Sequence, residues 1–199
     1  SGGTAMSRWT TVEAMIRRSS SGLRFIPAPF RRREAHGAVD EAERSLFPLA
    51  ASVGHTAALL DVGRLDPLRL PPCVRDAVIT VVVHRQDPSS APAATVRLER
   101  LAELIESLHA VGSQTALAVV GEQPFSLAEV ADFTQPDGPV WSLAPDPLSA
   151  AVLAGQTGVS ARRLARLPLM RATAAVAHDL ALAVGSAPPA PAFVEGRAR

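Results

Sequence analysis

The chain contains no lysine, no asparagine and no tyrosine among its 199 residues, and all 20 of its basic residues are arginine. The absence of lysine excludes the glycine-rich phosphate loop that ends in Gly-Lys-Ser/Thr, and it excludes Schiff-base chemistry through a lysine amine. A GC-rich gene explains all three absences, because these amino acids need A/T-rich codons. Whatever the cause, no side chain can play the lysine that bridges the β- and γ-phosphates of a bound nucleotide.

Several other features are scarce. A single cysteine, Cys73, rules out an internal disulfide, and we expect it to be a small buried or half-buried residue. No apolar run reaches the roughly 20 residues that span a bilayer, and no signal peptide opens the chain. A formal net charge of +1 predicts neither nucleic-acid nor membrane binding. We therefore expect a cytoplasmic protein without a membrane span.

The composition favours one folded domain with flanking segments outside it. A hydrophobic fraction of 47% over 199 residues is enough for a sizeable core. Residues 1–6 are interpreted as an expression scar and a start, residues 7–184 as one domain, and residues 185–199 as a disordered Pro/Ala-rich tail.

Short apolar runs alternate with longer segments of helical period, which is the pattern of a parallel sheet covered by helices. The predicted strands are Leu23–Ile26, Ala57–Asp61, Val78–His84, Ala116–Val120 and Val140–Leu143. The predicted helices are Arg33–Ala51, Ala93–Val111, one that begins at Ser126 with a capping box to Glu129, and Leu169–Val184. The fold class expected is three-layer α/β, with a mostly parallel sheet of about five strands flanked by helices.

In an open parallel sheet, ligands bind outside the carboxyl ends of the strands. Four segments follow predicted strands and are candidates for a site. They are Asp61–Arg64, His84–Arg85, Gly121–Phe125 and Ala144–Pro147.

The order of these segments resembles the C-terminal two-thirds of the MinD/ParA group of P-loop ATPases. The matching pieces are Gly22–Pro29, Leu59–Arg64, Ala77–Arg85, Val119–Gly121 with Pro124–Phe125 and Ala128–Ala131, Leu143–Pro147, and Arg163–Leu164 leading to Pro168–Arg171. The phosphate loop and the strand and helix that flank it have no counterpart here. The resemblance therefore implies a truncated P-loop NTPase-like fold.

The resemblance also implies candidate site residues. Asp61 matches the Walker B aspartate, which holds the Mg²⁺ water shell or the attacking water, and Gly63 follows it. Alternatively, Asp61 ends a strand and caps a turn that Gly63 permits. The pairs His84–Arg85 and Pro145–Asp146 fall where the family's loops enclose adenine and ribose. The asparagine that often recognises the base is absent.

Two functions from different classes follow. In the first, the chain is a degenerate MinD/ParA-like domain without catalysis, an interaction or regulatory module in the positioning of division, partitioning or secretion machinery. In the second, it is the C-terminal part of an active or split ATPase whose nucleotide-binding N-terminal part is absent from this chain. We expect no cofactor for the chain alone, and ATP with Mg²⁺ if the family site is completed.

The expected partner is a protein, or a second copy that associates through a sheet edge or a helical face. Loss of the phosphate-loop strand would leave strand edges unpaired, so the neighbouring strands should close up or receive a strand from another copy or partner. Nucleic acid is a lesser expectation through exposed arginines, although a solvated helical face is the plainer interpretation. These arginines are Arg162, Arg163, Arg166 and Arg171.

Overall fold

The computed structural model describes residues 10, 12–18, 24–27, 37–39, 59–154 and 156–186. These residues fall into two compact units. The first holds the described residues up to 64 together with 71–73, and the second holds 65–70 and the described residues from 74 onward. The expectation of a single domain over 7–184 stays a prediction. Residues 1–6 and 187–199 lie outside the described residues.

The first unit contains a short antiparallel strand pair. Strand β1 (Arg17–Arg18) pairs with β2 (Arg24–Phe25), with Arg17 opposite Phe25. The predicted strand Leu23–Ile26 is therefore shorter than expected within its described residues, and it does not join a parallel sheet. The physical reason lies in Pro27, which has no N–H to extend the pairing.

The second predicted strand is wrong over its described part. Leu59–Asp61 are not in a strand, and Leu59 is 94% exposed. The run Ala57–Asp61 contains only alanine and leucine before its aspartate, and neither residue type prefers strands as β-branched residues do. Residues 57 and 58 lie outside the described residues. Of the predicted helix at 33–51, only residues 37–39 are described, and they are helical.

The second unit is built on a parallel sheet. Its strands are β3 (Thr80–Arg85), β4 (Thr115–Val120) and β5 (Val140–Leu143), in the order β3-β4-β5. These are the last three predicted strands, with β5 found at its predicted bounds. Among the described residues the parallel sheet has three strands, not five, because the two N-terminal candidates do not enter it.

Among the described residues from 73 onward there are six helices. They are α1 (Cys73–Asp76), α2 (Ala91–Ala110), α3 (Leu127–Thr134), α4 (Pro147–Leu153), α5 (Ala161–Leu164) and α6 (Pro168–Ser186). Helix α6 runs two residues into the segment expected to be a tail. The capping box is confirmed at α3, where Ser126 Oγ accepts from Glu129 N and Glu129 Oε2 accepts from Ser126 N.

Helix α2 packs through one apolar stripe. Ser90 caps its first turn, with Oγ accepting from Ala93 N at 3.4 Å. The buried residues of the stripe are Ala94, Leu98, Leu101, Ile105 and Leu108. Val96 is an apolar residue of this helix outside the stripe, and it is 47% exposed. Val96 lies two residues from both Ala94 and Leu98, so the turn of the helix carries it away from the sheet.

Helices cover the sheet on both faces. Side chains alternate between faces along a strand, so Val82 and His84 share one face, and Arg97 of α2 acts electrostatically on His84. Helix α3 packs against α2 on that side. Trp141 of β5 lies beside Ala118 on the opposite face, where its Nε1–H donates to Asp179 Oδ2 of α6 at 2.8 Å. The described second unit is thus a helix, sheet and helix sandwich.

Polar contacts of Asp137 and Gly138 hold the start of the buried central strand β4. Residues 115–119 of β4 are all buried. Thr115 N donates to Asp137 Oδ1 at 2.6 Å, and Thr115 O accepts from Gly138 N at 2.9 Å. His109 Nε2 lies 3.3 Å from Asp137 Oδ1, which links the end of α2 to the entry of β5. Within the described part of the chain, no helix is both long and apolar enough to cross a lipid bilayer.

Candidate functional site

The carboxyl ends of the three parallel strands open onto a cleft. Its volume is about 280 Å³. The last residues of β3 and β4 and the residues that follow the three strands line it, namely Arg85, Gln86, Pro88, Val120, Gly121, Glu122, Gln123 and Pro145. The cleft lies at the sheet edge where parallel α/β proteins place their ligands. The sequence predicted this edge, and two of its candidates, Arg85 and Pro145, line the cleft.

Gln86 organises the floor of this cleft. Its side chain is only 7% exposed, and its backbone N–H extends the strand pairing by donating to Val120 O at 3.0 Å. The amide Nε2 donates to Gly121 O at 3.0 Å and to Phe125 O at 2.8 Å, and Oε1 accepts from Phe125 N at 3.0 Å. One side chain therefore fixes both ends of the loop after β4.

Gly121 sets the backbone direction at the start of that loop. Its φ of 97° lies in a region that side-chain-bearing residues rarely adopt, so glycine is needed for its conformation. A Cβ at this position would meet Gln86 Cβ at an ordinary 3.7 Å, so space is not the constraint. Gly121 N donates to Leu143 O at 3.1 Å. The β4 loop is thus tied to β3 through Gln86 and to β5 through Gly121.

The charges around the cleft nearly balance. Arg85 and Glu122, both exposed, are the only two charged residues among its described lining. Gln86 uses both ends of its amide within the protein and presents neither to a ligand. Every buried polar side-chain atom of the described residues has a hydrogen-bond partner. The lining therefore offers weak polar recognition from Arg85, Glu122 and Gln123 and no concentrated positive charge for a triphosphate.

His84 is placed apart from the cleft lining. As an alternate residue of β3 it faces the α2 side of the sheet, half-buried. Burial, and secondly the positive charge of Arg97, lower the pKa of His84, so the imidazole is neutral at physiological pH. Arg97 is held by Asp87, whose Oδ2 lies 3.3 Å from the guanidinium. The structure thus separates His84 from its neighbour Arg85.

Asp146 works as a helix cap. Its Oδ1 accepts from Leu148 N and Ser149 N, both at 3.1 Å, and its Oδ2 accepts from Ser149 Oγ at 2.6 Å. These bonds, with that of the Ser149 side chain first, lower the pKa of Asp146. Pro147 occupies the first turn of α4, where its missing N–H is harmless. Both carboxylate oxygens are therefore engaged by the start of α4.

Asp61 and Gly63 belong to the first unit, whereas the other four candidates belong to the second. Asp61 is exposed, and its Oδ1 accepts from Gly63 N at 2.9 Å, with Gly63 at φ 66°. This is the turn-capping arrangement that the sequence offered as the alternative to a Walker B role. Among the described residues no three His, Cys, Asp or Glu side chains are grouped to hold a metal. The assignment of Asp61 as a metal ligand stays a prediction.

The residue that sequence reasoning missed is Gln86. Gln86 directly follows the candidate pair His84–Arg85 at the carboxyl end of β3. That position is the one sequence feature that could have added it to the candidate site residues. Its partners Gly121 and Phe125 are 35 and 39 residues away along the chain. The residues around Gln86 therefore do not predict these hydrogen bonds.

No protein-family model, no curated protein and no solved structure matches this chain.

Proposed function

We propose that this chain is a non-catalytic interaction or regulatory module of MinD/ParA-like descent, lacking the phosphate-binding lysine loop. The process would be the positioning of division, partitioning or secretion machinery. The proposed fold is a P-loop NTPase-like sheet without its phosphate-loop strand. It acts by binding a protein or a second copy of itself.

The observation that carries the interaction role is the end strand of the parallel sheet. Val83 lies in the middle of β3 and is 66% exposed. Helices ordinarily cover both faces of a parallel sheet, so a valine there is usually buried. Among the described residues β3 has a strand neighbour on one side only, because the sheet order is β3-β4-β5. An aliphatic, unprotected edge strand is typical of a surface that another chain covers.

The chemistry of the candidate site supports the absence of catalysis. The sequence contains no lysine, and the cleft lining balances one arginine against one glutamate. Both carboxylate oxygens of Asp146 accept hydrogen bonds from the first turn of α4. Asp61 Oδ1 accepts a hydrogen bond from Gly63 N in its own turn. A phosphoryl-transfer site needs cations and carboxylates directed at the phosphates and Mg²⁺, and here the two candidate carboxylates bind groups of their own turns instead.

Calorimetric titration of Mg²⁺-ATP and Mg²⁺-ADP into the purified chain tests this proposal. The expected result is no saturable heat down to millimolar affinity. The matched reference is the same titration without Mg²⁺, which separates metal-dependent binding from nonspecific heat. Saturable binding that requires Mg²⁺ would overturn the proposal, because the nucleotide site would then survive without the phosphate-loop lysine.

One observation favours a second function, the C-terminal part of a split or longer ATPase. The cleft of about 280 Å³ opens where the resemblance places the adenine and ribose loops, and it is lined by Arg85 and Pro145. In that case the N-terminal nucleotide-binding part must be supplied. The Asp61→Ala change would then abolish Mg²⁺-dependent turnover of the completed enzyme. As an interaction module, the Asp61→Ala chain would bind its partner as the wild type does.

A further inference from the structure

The cleft at the carboxyl ends of β3, β4 and β5 combines an apolar surface with one cationic side chain. Arg85 is the last residue of β3 and pairs in register with Val120, the last residue of β4. Paired residues of neighbouring strands lie about 4.8 Å apart and share one face of the sheet. Pro88 and Pro145 also line the cleft, and a proline has no backbone N–H that a ligand must satisfy. Val120 and the two prolines therefore offer an apolar contact surface beside Arg85.

The cleft is held in shape by hydrogen bonds within the protein. The amide of Gln86 joins both ends of the loop after β4. Gly121 N donates to Leu143 O at 3.1 Å, which ties the same loop to β5. Asp146, the residue after Pro145, is bonded to the first turn of α4. A site that is already formed loses little conformational entropy when a ligand binds, so even a small ligand can bind it.

Two opposite charges at the cleft have no partner in the protein. Neither Arg85 nor Glu122 forms an ion pair with a described residue, although both line the same cleft. Asp87 is the acidic residue nearest to Arg85 in the sequence, but its carboxylate accepts from Arg97 and from Ser89 N. The guanidinium of Arg85 and the carboxylate of Glu122 are therefore both available to a ligand.

We propose that the cleft binds a small zwitterion of the α-amino-acid type with an apolar side chain. Arg85 binds the carboxylate, to which a guanidinium presents two parallel N–H donors, and Glu122 binds the ammonium group. The apolar side chain of the ligand lies against Val120, Pro88 and Pro145. This inference goes beyond the proposed function, because a ligand of this class is neither a nucleotide nor a partner chain.

The volume and the charge of the cleft both favour this class of ligand. Its volume of about 280 Å³ lies below the roughly 300–1,000 Å³ of pockets for drug-sized ligands, and it equals roughly nine waters at about 30 Å³ each. The charges of Arg85 and Glu122 sum to zero, so a zwitterion leaves neither side chain unpaired. A carboxylate alone would place its charge near Glu122, and an amine alone would place its charge near Arg85, and both contacts are repulsive.

Calorimetric titration of the purified chain with matched ligands tests the charge requirement. L-Leucine should bind saturably, with a Kd below about 1 mM. Isocaproate is leucine without its amino group, and isoamylamine is leucine without its carboxylate. Each should bind at least about fivefold more weakly than leucine, because one charged contact is lost. Glycine should bind at least about tenfold more weakly, because it has no apolar side chain to bury.

Two variants assign each charge of the ligand to one residue. Arg85→Gln should bind leucine and isoamylamine with equal affinity, because the partner of the carboxylate is gone. Glu122→Gln should bind leucine and isocaproate with equal affinity, because the partner of the ammonium group is gone. Arg100→Gln and Glu103→Gln are the matched controls and should bind leucine as the wild type does, since both residues are exposed on α2 and do not line the cleft. Circular dichroism checks that all four variants remain folded.

Three results would overturn the proposal. The first is the absence of saturable binding by leucine, valine, methionine and proline up to about 10 mM ligand. The second is isocaproate or isoamylamine that binds the wild type as tightly as leucine does. The third is an affinity for leucine that neither Arg85→Gln nor Glu122→Gln lowers, since leucine would then bind elsewhere. None of these results bears on Mg²⁺-ATP binding or on association with a partner, which test the proposed function separately.

Discussion

Replacing the buried amide of Gln86 with the isosteric carboxylate of glutamate is the sharpest perturbation of the cleft. In the wild type, Nε2 donates to Gly121 O and Phe125 O, and Oε1 accepts from Phe125 N. Gln86→Glu keeps the accepted bond and removes both donated ones, which costs about 1–3 kcal/mol at about 1 kcal/mol per bond. It also places a carboxylate against two carbonyl oxygens in a site that is 7% exposed.

The loss of stability caused by the buried carboxylate in Gln86→Glu depends on pH. Burial and the two carbonyls disfavour the charged form, so the pKa of the introduced carboxyl is raised in the folded state. An acid with a raised pKa destabilises the protein as pH rises through the interval between its unfolded and folded pKa values. Each unit of that shift is about 1.4 kcal/mol. A shift of one to two units brings the total loss for Gln86→Glu to about 2–6 kcal/mol near pH 8, falling to about 1–3 kcal/mol near pH 4.

Urea unfolding of the wild type and Gln86→Glu at both pH values measures this difference directly. Gln123→Glu is the matched control, since Gln123 lines the same cleft but is exposed, and its substitution should change the free energy of unfolding by less than about 0.5 kcal/mol at either pH. An equally small loss of stability in Gln86→Glu and Gln123→Glu would contradict the role of the buried amide. A loss in Gln86→Glu that is the same at both pH values would contradict the raised pKa of the introduced carboxyl.

Two further substitutions test how the sheet is held. Gly138→Ala should lower the unfolding free energy by about 1–3 kcal/mol, because the new Cβ would lie 2.8 Å from the backbone oxygen of Thr115. Gly185→Ala, with open space at its Cβ inside α6, should instead be neutral or slightly stabilising in the same thermal melts, and equal effects would contradict the steric argument. Trp141→Phe should cost about 1.5–3 kcal/mol through loss of the bond to Asp179, and a double-mutant cycle with Asp179→Asn should show that the two changes are not additive. Additivity would mean that the bond does not stabilise the protein.

The C-terminal half of the fold could be predicted because its strands are chemically distinct. Strand β3 is rich in β-branched residues, and β5 is bounded by turn-forming residues, so both were located to within about two residues. The run at 57–61 lacks β-branched residues. A short apolar run of this kind does not by itself distinguish a strand from a helix or a loop. Composition thus separates β3 from the run at 57–61, whereas the predicted strand at 23–26 is limited by Pro27.

The sequence predicted where the candidate cleft lies, but only part of its lining; whether the cleft is a functional site stays a prediction. Ligands of parallel sheets bind at the carboxyl ends of the strands, and this rule predicted Arg85 and Pro145. The role of Gln86 depends on partners 35 and 39 residues away, which a local pattern does not reveal. The sequence did hold a signal for Asp146, because an aspartate followed by proline is a common helix start. That signal identifies it as the cap it is in the structure.

The proposed function requires that the domain associates with its partner without a nucleotide. Sedimentation of the wild-type chain with and without Mg²⁺-ATP distinguishes this from nucleotide-dependent association. We expect association toward twice 20.8 kDa, to the same extent in both conditions, if the partner is a second copy. A chain that stays at 20.8 kDa alone and doubles its mass only when Mg²⁺-ATP is present would contradict it, because the cleft would then be a nucleotide switch.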